Sequence, residues 1–500
     1  MKSRAINVGC ALLLCVMIAP IGSLAADKGV AVSDATQECL DCHVSVTPDL
    51  VEDWKKSRHA ATTVRDGLSK PKLARRVSAE SVPDELSGVA VGCAECHTIN
   101  TDAHKDAFDH NDRMVHVTVT PNDCAVCHPT EEKQYRENIM SHARQNLVGN
   151  NLYGQLVKSI NGVQSFRDLK TTITPPDDQT NADSCYHCHG TAVEVSGTRT
   201  RDTDWGEMEF PVLTGWPNQG VGRFNPDGSK GVCTACHSRH QFSIKMARQP
   251  YTCSQCHKGP DVPAYQTYEV SKHGNLFASL KSEWNFNEVP WTVGKDFTGP
   301  TCAACHVSLV VTPEGDVVAE RTHQMNDRLP WRILGLIYSH PHPKSPDTSI
   351  IKNKDGLPLP TTLTGEWAKE YLIGPDEQAA RRKKLQAVCL SCHGQSWVDG
   401  HWARFENTMK VADKMTMTAT EIMKKAWEEG VADNSELFDE AMEKQWVEQW
   451  LFYANSTRFA SAMMGADYGV FANGRWYMAK NIQDMLDRLK ILLAIRGQGK

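Results

Sequence analysis

Eight times along the chain, two cysteines three positions apart are followed at once by a histidine. The pairs are Cys39 and Cys42, Cys93 and Cys96, Cys124 and Cys127, Cys185 and Cys188, Cys233 and Cys236, Cys253 and Cys256, Cys302 and Cys305, and Cys389 and Cys392. The histidines are His43, His97, His128, His189, His237, His257, His306 and His393. Thiols at this spacing can form thioether bonds to the two vinyl groups of one porphyrin, and the next imidazole then reaches its iron as proximal ligand. Zinc sites also use paired cysteines but do not require the adjacent histidine, and a disulfide framework would also use an even cysteine count. Histidine makes up 20 of 500 residues. Eight such histidines would arise by chance on the order of once in 10^11. The spacing therefore predicts eight covalently bound haem c groups, with no cysteine left over beyond Cys10 and Cys15 near the N-terminus.

An electron-transfer haem usually takes a second histidine, whereas a haem that activates a substrate keeps that position open. Twelve further histidines are available, and seven are needed if one iron stays open. His59, His142, His240, His273 and His401 lie in small or basic neighbourhoods close to motifs and are expected to be second ligands, as is His323. His104, His110 and His116 fall in a polar stretch that reads as exposed, and His187 sits inside the fourth motif, CYHCH. His340 and His342 follow Tyr338 in a proline-fixed loop. Such a rigid segment suits either iron ligation or proton transfer to a substrate.

The elements that position these groups read as mainly α. Hydrophobic residues make up only 40% of the chain, with a mean hydropathy of -0.44, so a core filled by haem is expected, ringed by short helices. Turn-rich stretches such as Thr174-Pro175-Pro176-Asp177-Asp178 and Asn225-Pro226-Asp227-Gly228 separate the motifs. After His401 both cysteine and histidine cease, and Met478, Ile482, Met485, Leu489 and Leu492 recur at helical spacing. This is a long helical segment, with Trp427, Trp446, Trp450, Met423, Met442, Met463 and Met464 expected in packing or subunit contacts. The net charge of -6 carries no footprint for nucleic acid or anionic lipid. Lys2 and Arg4, an apolar run from Ile6 to Ile21, and small residues from Ser23 to Ala26 read as a cleaved signal peptide. No later stretch is apolar enough to span a bilayer, so a periplasmic or equivalent extracytoplasmic location follows. The expected divisions are 1–25 signal peptide, 26–402 octahaem cytochrome c domain, and 403–500 C-terminal helical segment for packing or oligomerisation.

The run GVGRFNPDGSKGVCTACHSRHQFS from Gly220 to Ser243, the run GLIYSHPHPKSPDTSIIKNKDGLPLP from Gly335 to Pro360, and MMGADY from Met463 to Tyr468 resemble the hydroxylamine oxidoreductase family of octahaem cytochromes. With the eight motifs and the helical tail, the likeness covers nearly the whole mature chain. No motif carries lysine in place of its histidine, which sets the chain apart from other multihaem nitrite and tetrathionate reductases. The resemblance implies a mostly helical homotrimer whose fourth haem, on Cys185 and Cys188 with proximal His189, is catalytic. In oxidative members that porphyrin is cross-linked to a tyrosine of a neighbouring subunit, and Tyr468 is the candidate, with Tyr453 and Tyr477 as alternatives. The sequence after Tyr468 departs from the aromatic, histidine-containing continuation of those members. Asn218 and Gln219 stand where an Asp-His pair is expected, leaving Tyr338, His340 and His342 for acid-base work.

The leading expectation is therefore oxidation of hydroxylamine, to nitric oxide or nitrite, at one open haem. Electrons would leave through the other haems to a cytochrome or a quinone-linked protein. The alternatives are reduction of nitrite or hydroxylamine towards ammonia on the same scaffold, and a pure electron conduit with every iron six-coordinate.

Overall fold

The computed structural model describes residues 30–168 and 170–498; the expected signal peptide lies outside them. Up to Leu390 most helices are short, and several carry motif residues: Cys93–His97, Cys185–His189 and Cys302–His306 have five residues each, Asp34–Val46 has 13 and Pro375–Leu390 has 16. Helices of one or two turns do not hold by propensity alone. They are tied by side chains instead. Ser33 caps the first, accepting from the Thr36 amide at 3.1 Å, and Thr36 donates to Glu95 at 2.7 Å while accepting from the Ala94 amide at 3.1 Å. The helix of the first motif is thereby sewn to that of the second.

Strands are small additions to this mainly helical fold. Among the described residues there are four two-stranded ribbons and one three-stranded sheet. The longest ribbon pairs Glu194–Thr203 with Gly206–Thr214 and leaves the fourth motif directly. The shortest pairs Trp331–Arg332 with His340–Pro341 and brings the two ends of the Leu334 to Ser339 loop together.

The C-terminal part consists of Gln395–Glu428, Ala441–Val447 continuing through a π-turn at Glu448–Tyr453 into Ala454–Met463, and Arg475–Gln498. Its apolar stripe is buried. Met423, Met442, Trp446, Trp450, Met485 and Leu489 form one core cluster, with Trp427, Ile482 and Leu492 packed against it; Met478 is buried in a neighbouring cluster. The same core takes in Leu336, Ile337, Tyr338 and Leu359, so the helical tail packs on the loop that carries His340. The division expected at 402/403 falls inside the continuous helix Gln395–Glu428. Composition changes there because the haem motifs end, while the backbone runs on. No helix among the described residues is long and apolar enough to cross a membrane.

Candidate haem array and reactive centre

Where a protein of this size would have its main side-chain core, the N-terminal part has a cavity of about 2310 Å³. Its walls carry His43, His97, His128, His237, His257, His306 and His393, each with at least one cysteine of its own motif. A haem fits that space chemically if imidazoles face one another across it. With an Fe–N bond of about 2 Å on each side, two axial imidazoles place their ring centres about 6.3 Å apart. Four pairs stand at that separation: His43 with His110 at 6.2 Å, His59 with His128 at 6.4 Å, His237 with His323 at 6.4 Å, and His273 with His393 at 6.1 Å. Burial, with the charge of the facing histidine, pushes His59 and His323 down to about 4, so they are neutral, as iron ligation requires. The Nδ1 atoms of His59, His110, His240 and His323 are buried without a partner, and all four rings border the cavity. His240 feels the charge of His97, which sets it against the second motif.

Of the expected second ligands, the structure places His59, His273 and His323 opposite motif histidines and His240 within the charge of one, while His142 and His401 stand in other surroundings. His142 forms no ring pair with a motif histidine; its Nε2 bonds the Arg136 carbonyl at 3.1 Å. His401 borders the cavity but stacks on Trp397, at 5.5 Å, whose other neighbour is His393 at 4.0 Å. The polar stretch from His104 to His116 is not an exposed loop. It is a hairpin pairing Ala107–His110 with Arg113–His116, turning on Asn111 and Asp112 at positive φ. His110 is delivered to His43, while His104 and His116 are buried at 5% and 1% exposure. The Asn-Asp turn between alternating residues was the available signal.

Buried His104 bonds Asp106 at 3.1 Å and Asp123 at 3.3 Å and stacks on His116 at 3.6 Å. Burial alone would lower its pKa, but the two carboxylates carry it up to about 9. The His116 carbonyl accepts from Nδ1 of His97 at 2.8 Å. Such a bond fixes the tautomer and ring plane of a proximal ligand. Thr47 serves His43 in the same way at 2.9 Å, and the Ala143 carbonyl serves His189 at 3.1 Å.

Contacts between cysteines of different motifs give the order in space. Cys39 meets Cys93, Cys96 neighbours Cys124, Cys124 meets Cys233, Cys236 neighbours Cys253, Cys253 meets Cys302, and Cys305 neighbours Cys389. The motifs therefore run first, second, third, fifth, sixth, seventh, eighth. The fourth joins as a branch, through Cys188 and Cys256.

The fourth motif differs from the rest. Cys185, Cys188 and His189 do not line the main cavity; among the described residues no histidine pairs with His189 at axial spacing, which is true also of His257 and His306. His189 is influenced by the charges of Asp261 and Arg332. The charge of Arg332 acts likewise on His340 and His342, and Arg332 pairs with His340 across the short ribbon. His340 is buried, with Nδ1 donating to the Pro341 carbonyl at 2.7 Å and Nε2 without a partner; burial pushes its pKa down to about 3. His342 borders the cavity and is held well below the usual range by burial. Tyr338 is not presented to either: its hydroxyl donates to the Leu363 carbonyl at 2.9 Å inside the helical core. Asn218 accepts from the Gly220 amide at 2.9 Å and donates to the Tyr186 carbonyl at 3.0 Å, and Gln219 engages Thr234 at 2.6 Å. Asn218 braces the loop against the fourth motif and Gln219 braces it against the fifth. Tyr468, in Ala466–Val470, packs in its own chain beside Ala264–Glu269.

Residues 38–119 match the family model "Cytochrome c554 and c-prime", and residues 226–327 match "Seven times multi-haem cytochrome CxxCH". A solved structure titled "Hypothetical multiheme protein" superposes with a TM-score of 0.89 at 38% identity, covering 94% of this chain and 98% of that one. A curated relative, a probable nitrite reductase-hydroxylamine oxidoreductase fusion protein of Kuenenia stuttgartiensis, is 25% identical over 418 residues, 76% of this chain. The chain belongs to the hydroxylamine-oxidoreductase-like multihaem cytochromes c. It spans 37% of the length of that fusion protein. The Kuenenia stuttgartiensis reducing HAO-like protein complex Kustc0457/Kustc0458 shares the fold, with a TM-score of 0.61 at 18% identity over 93% of this cytochrome and 87% of that chain. Covalently bound haem c is thus the group that the cavity and its paired imidazoles hold. Sequence reasoning missed that His110 faces His43, for which the hairpin turn was the available signal, and that the charge of Arg332 reaches His189, for which there was none.

Proposed function

We propose that this cytochrome is an extracytoplasmic oxidoreductase of small nitrogen compounds, with eight haems and its substrate site at the haem on Cys185 and Cys188. The observation that carries this reading is the isolation of His189. It and both cysteines of its motif lie outside the main cavity, unlike the other seven motifs, and the motif joins the array as a branch through Cys188 and Cys256; the lack of a described imidazole at axial spacing it shares with His257 and His306. Covalent haem supplies reversible one-electron chemistry and an open iron position there. The protein's own part is to orient: the Ala143 carbonyl sets the plane of His189, and the charge of Arg332 opposes its protonation.

The direction we propose is reduction, of nitrite or hydroxylamine towards ammonia. The residues at the expected Asp-His positions, Asn218 and Gln219, are committed to bracing, and Tyr338 is spent in the core. Hydroxylamine oxidation, ranked first from the sequence, depends on a cross-link from Tyr468 of a neighbouring subunit in a homotrimer. Denaturing mass analysis of the haem peptide containing Cys185 and Cys188 tests this. An unmodified haem peptide, with nitrite or hydroxylamine consumed under an artificial low-potential donor, supports reduction; a peptide joined to Tyr468 supports oxidation. The physiological electron partner we propose is a cytochrome or a quinone-linked protein.

A further inference from the structure

The long ribbon that leaves the fourth motif carries its charges sorted by face. Successive residues of a strand alternate between two faces, and residues opposite one another in an antiparallel pair share one. Arg199 stands opposite Phe210 and Arg201 opposite Met208, whereas Thr200 stands opposite Glu209 and Asp202 opposite Glu207. Both arginines therefore lie on the face of Phe210, and Asp202, Glu207 and Glu209 lie on the other. Arg199, Arg201 and Phe210 border the main cavity, and the three carboxylates do not.

That cationic face is turned towards one haem position in particular. Phe210 meets Phe108 at 5.7 Å and His110 at 6.0 Å, and His110 faces His43 of the first motif at 6.2 Å. The Arg201 guanidinium lies over the Phe210 ring, 4.9 Å from its centre, so a single aromatic ring separates it from the imidazole opposite His43. Arg113, across the hairpin from His110, already donates to Glu38 at 2.9 Å. A haem joined through two thioethers keeps two propionates free at the far edge of its ring, and both are ionised at neutral pH.

We propose that Arg199 and Arg201 are the propionate receptors of the haem on Cys39 and Cys42, and that their charge raises its reduction potential. A guanidinium presents two parallel N–H donors in a planar fork that matches a carboxylate. Two positions apart on one strand face, the arginines stand about 7 Å from each other at the backbone, which gives each propionate its own fork. Reduction of this haem adds one electron to ferric iron and breaks no bond, so a nearby positive charge favours the reduced form. The first motif is one end of the spatial order, and the arginines thus tune a terminal station of the array. The proposal rests on covalent haem at the first motif and is independent of the open site at the fourth.

The test uses the full-length, haem-loaded protein and follows midpoint potentials by spectroelectrochemical titration. Electron paramagnetic resonance identifies the haem in question as the one whose signal changes in His110→Ala. In Arg199→Gln, Arg201→Gln and the double variant, the equilibrium constant for reducing that haem is expected to fall about three- to ten-fold for each charge removed. Haem content and the other signals are expected to stay, because the thioether bonds hold the porphyrin. Arg199→Lys and Arg201→Lys keep the charge and are expected to recover most of the shift. The strand Glu194–Thr203 is exposed along most of its length, so salt reaches these charges. Raising the ionic strength is expected to lower the potential of this haem in the native protein and to leave it unmoved in the double variant. A double variant with every potential unchanged overturns the proposal, as does a shift confined to a haem that His110→Ala leaves untouched. A shift that the lysine variants fail to recover, or a loss of haem, replaces the electrostatic role with a structural one.

Discussion

His110 faces His43 with ring centres 6.2 Å apart, although it arrives from a hairpin 67 positions further along the chain. The hairpin is held against the long ribbon by Phe108 on Phe210 at 5.7 Å, so His110 is aimed by packing. Replacing it with alanine is expected to convert one low-spin haem to high-spin, with the other signals unchanged. His142→Ala, by contrast, is expected to leave the low-spin count as it was. Electron paramagnetic resonance of the oxidised proteins checks both.

His104 is the charged centre of a buried network that reaches the proximal ligand of the second motif through His116. Its folded-state pKa of about 9 lies above the unfolded value of 6.5, so its stabilisation is fully present below 6.5 and is lost as pH rises through about 9. Asp106 and Asp123 are depressed, against burial, by their bonds to His104. Their share is present above the usual carboxylate value of 3.8 and is lost as pH falls below it. His104→Gln is expected to cost about 3–5 kcal/mol by leaving two buried carboxylates unpaired. A thermal midpoint that falls in this variant, and that loses its decline at high pH, is the predicted outcome.

Trp397 lies against His393 at 4.0 Å and 13° from parallel, while His393 and its partner His273 are twisted by 51°. The stack fixes the azimuth of an axial ring beside Cys392, the one exposed motif cysteine among those described. Trp397→Ala is expected to shift the resonance g-values of one haem and to leave haem content intact, because Cys389 and Cys392 keep their thioether bonds. Unchanged g-values would remove Trp397 from any role in setting the ring plane.

The covalent chemistry of the array was legible because thioether attachment demands a contiguous pattern, and so was the helical tail through Met478, Met485 and Leu489. The placement of the remaining histidines was legible only in part. His59 and His273 sit on or beside short helices near motifs, whereas His110 is placed by tertiary contact with Phe210, and His142 looks alike in sequence but bonds the backbone. Nothing in the sequence around Arg332 tells that its side chain makes no hydrogen bond or ion pair among the described residues. That is a property of what surrounds it after folding.

The central claim is an open iron at the fourth motif, and the most direct test is the spin-state count of the oxidised full-length protein. The account predicts seven low-spin haems and one high-spin haem, with only the high-spin signal altered in His189→Met. Eight low-spin haems would contradict it and leave an electron conduit.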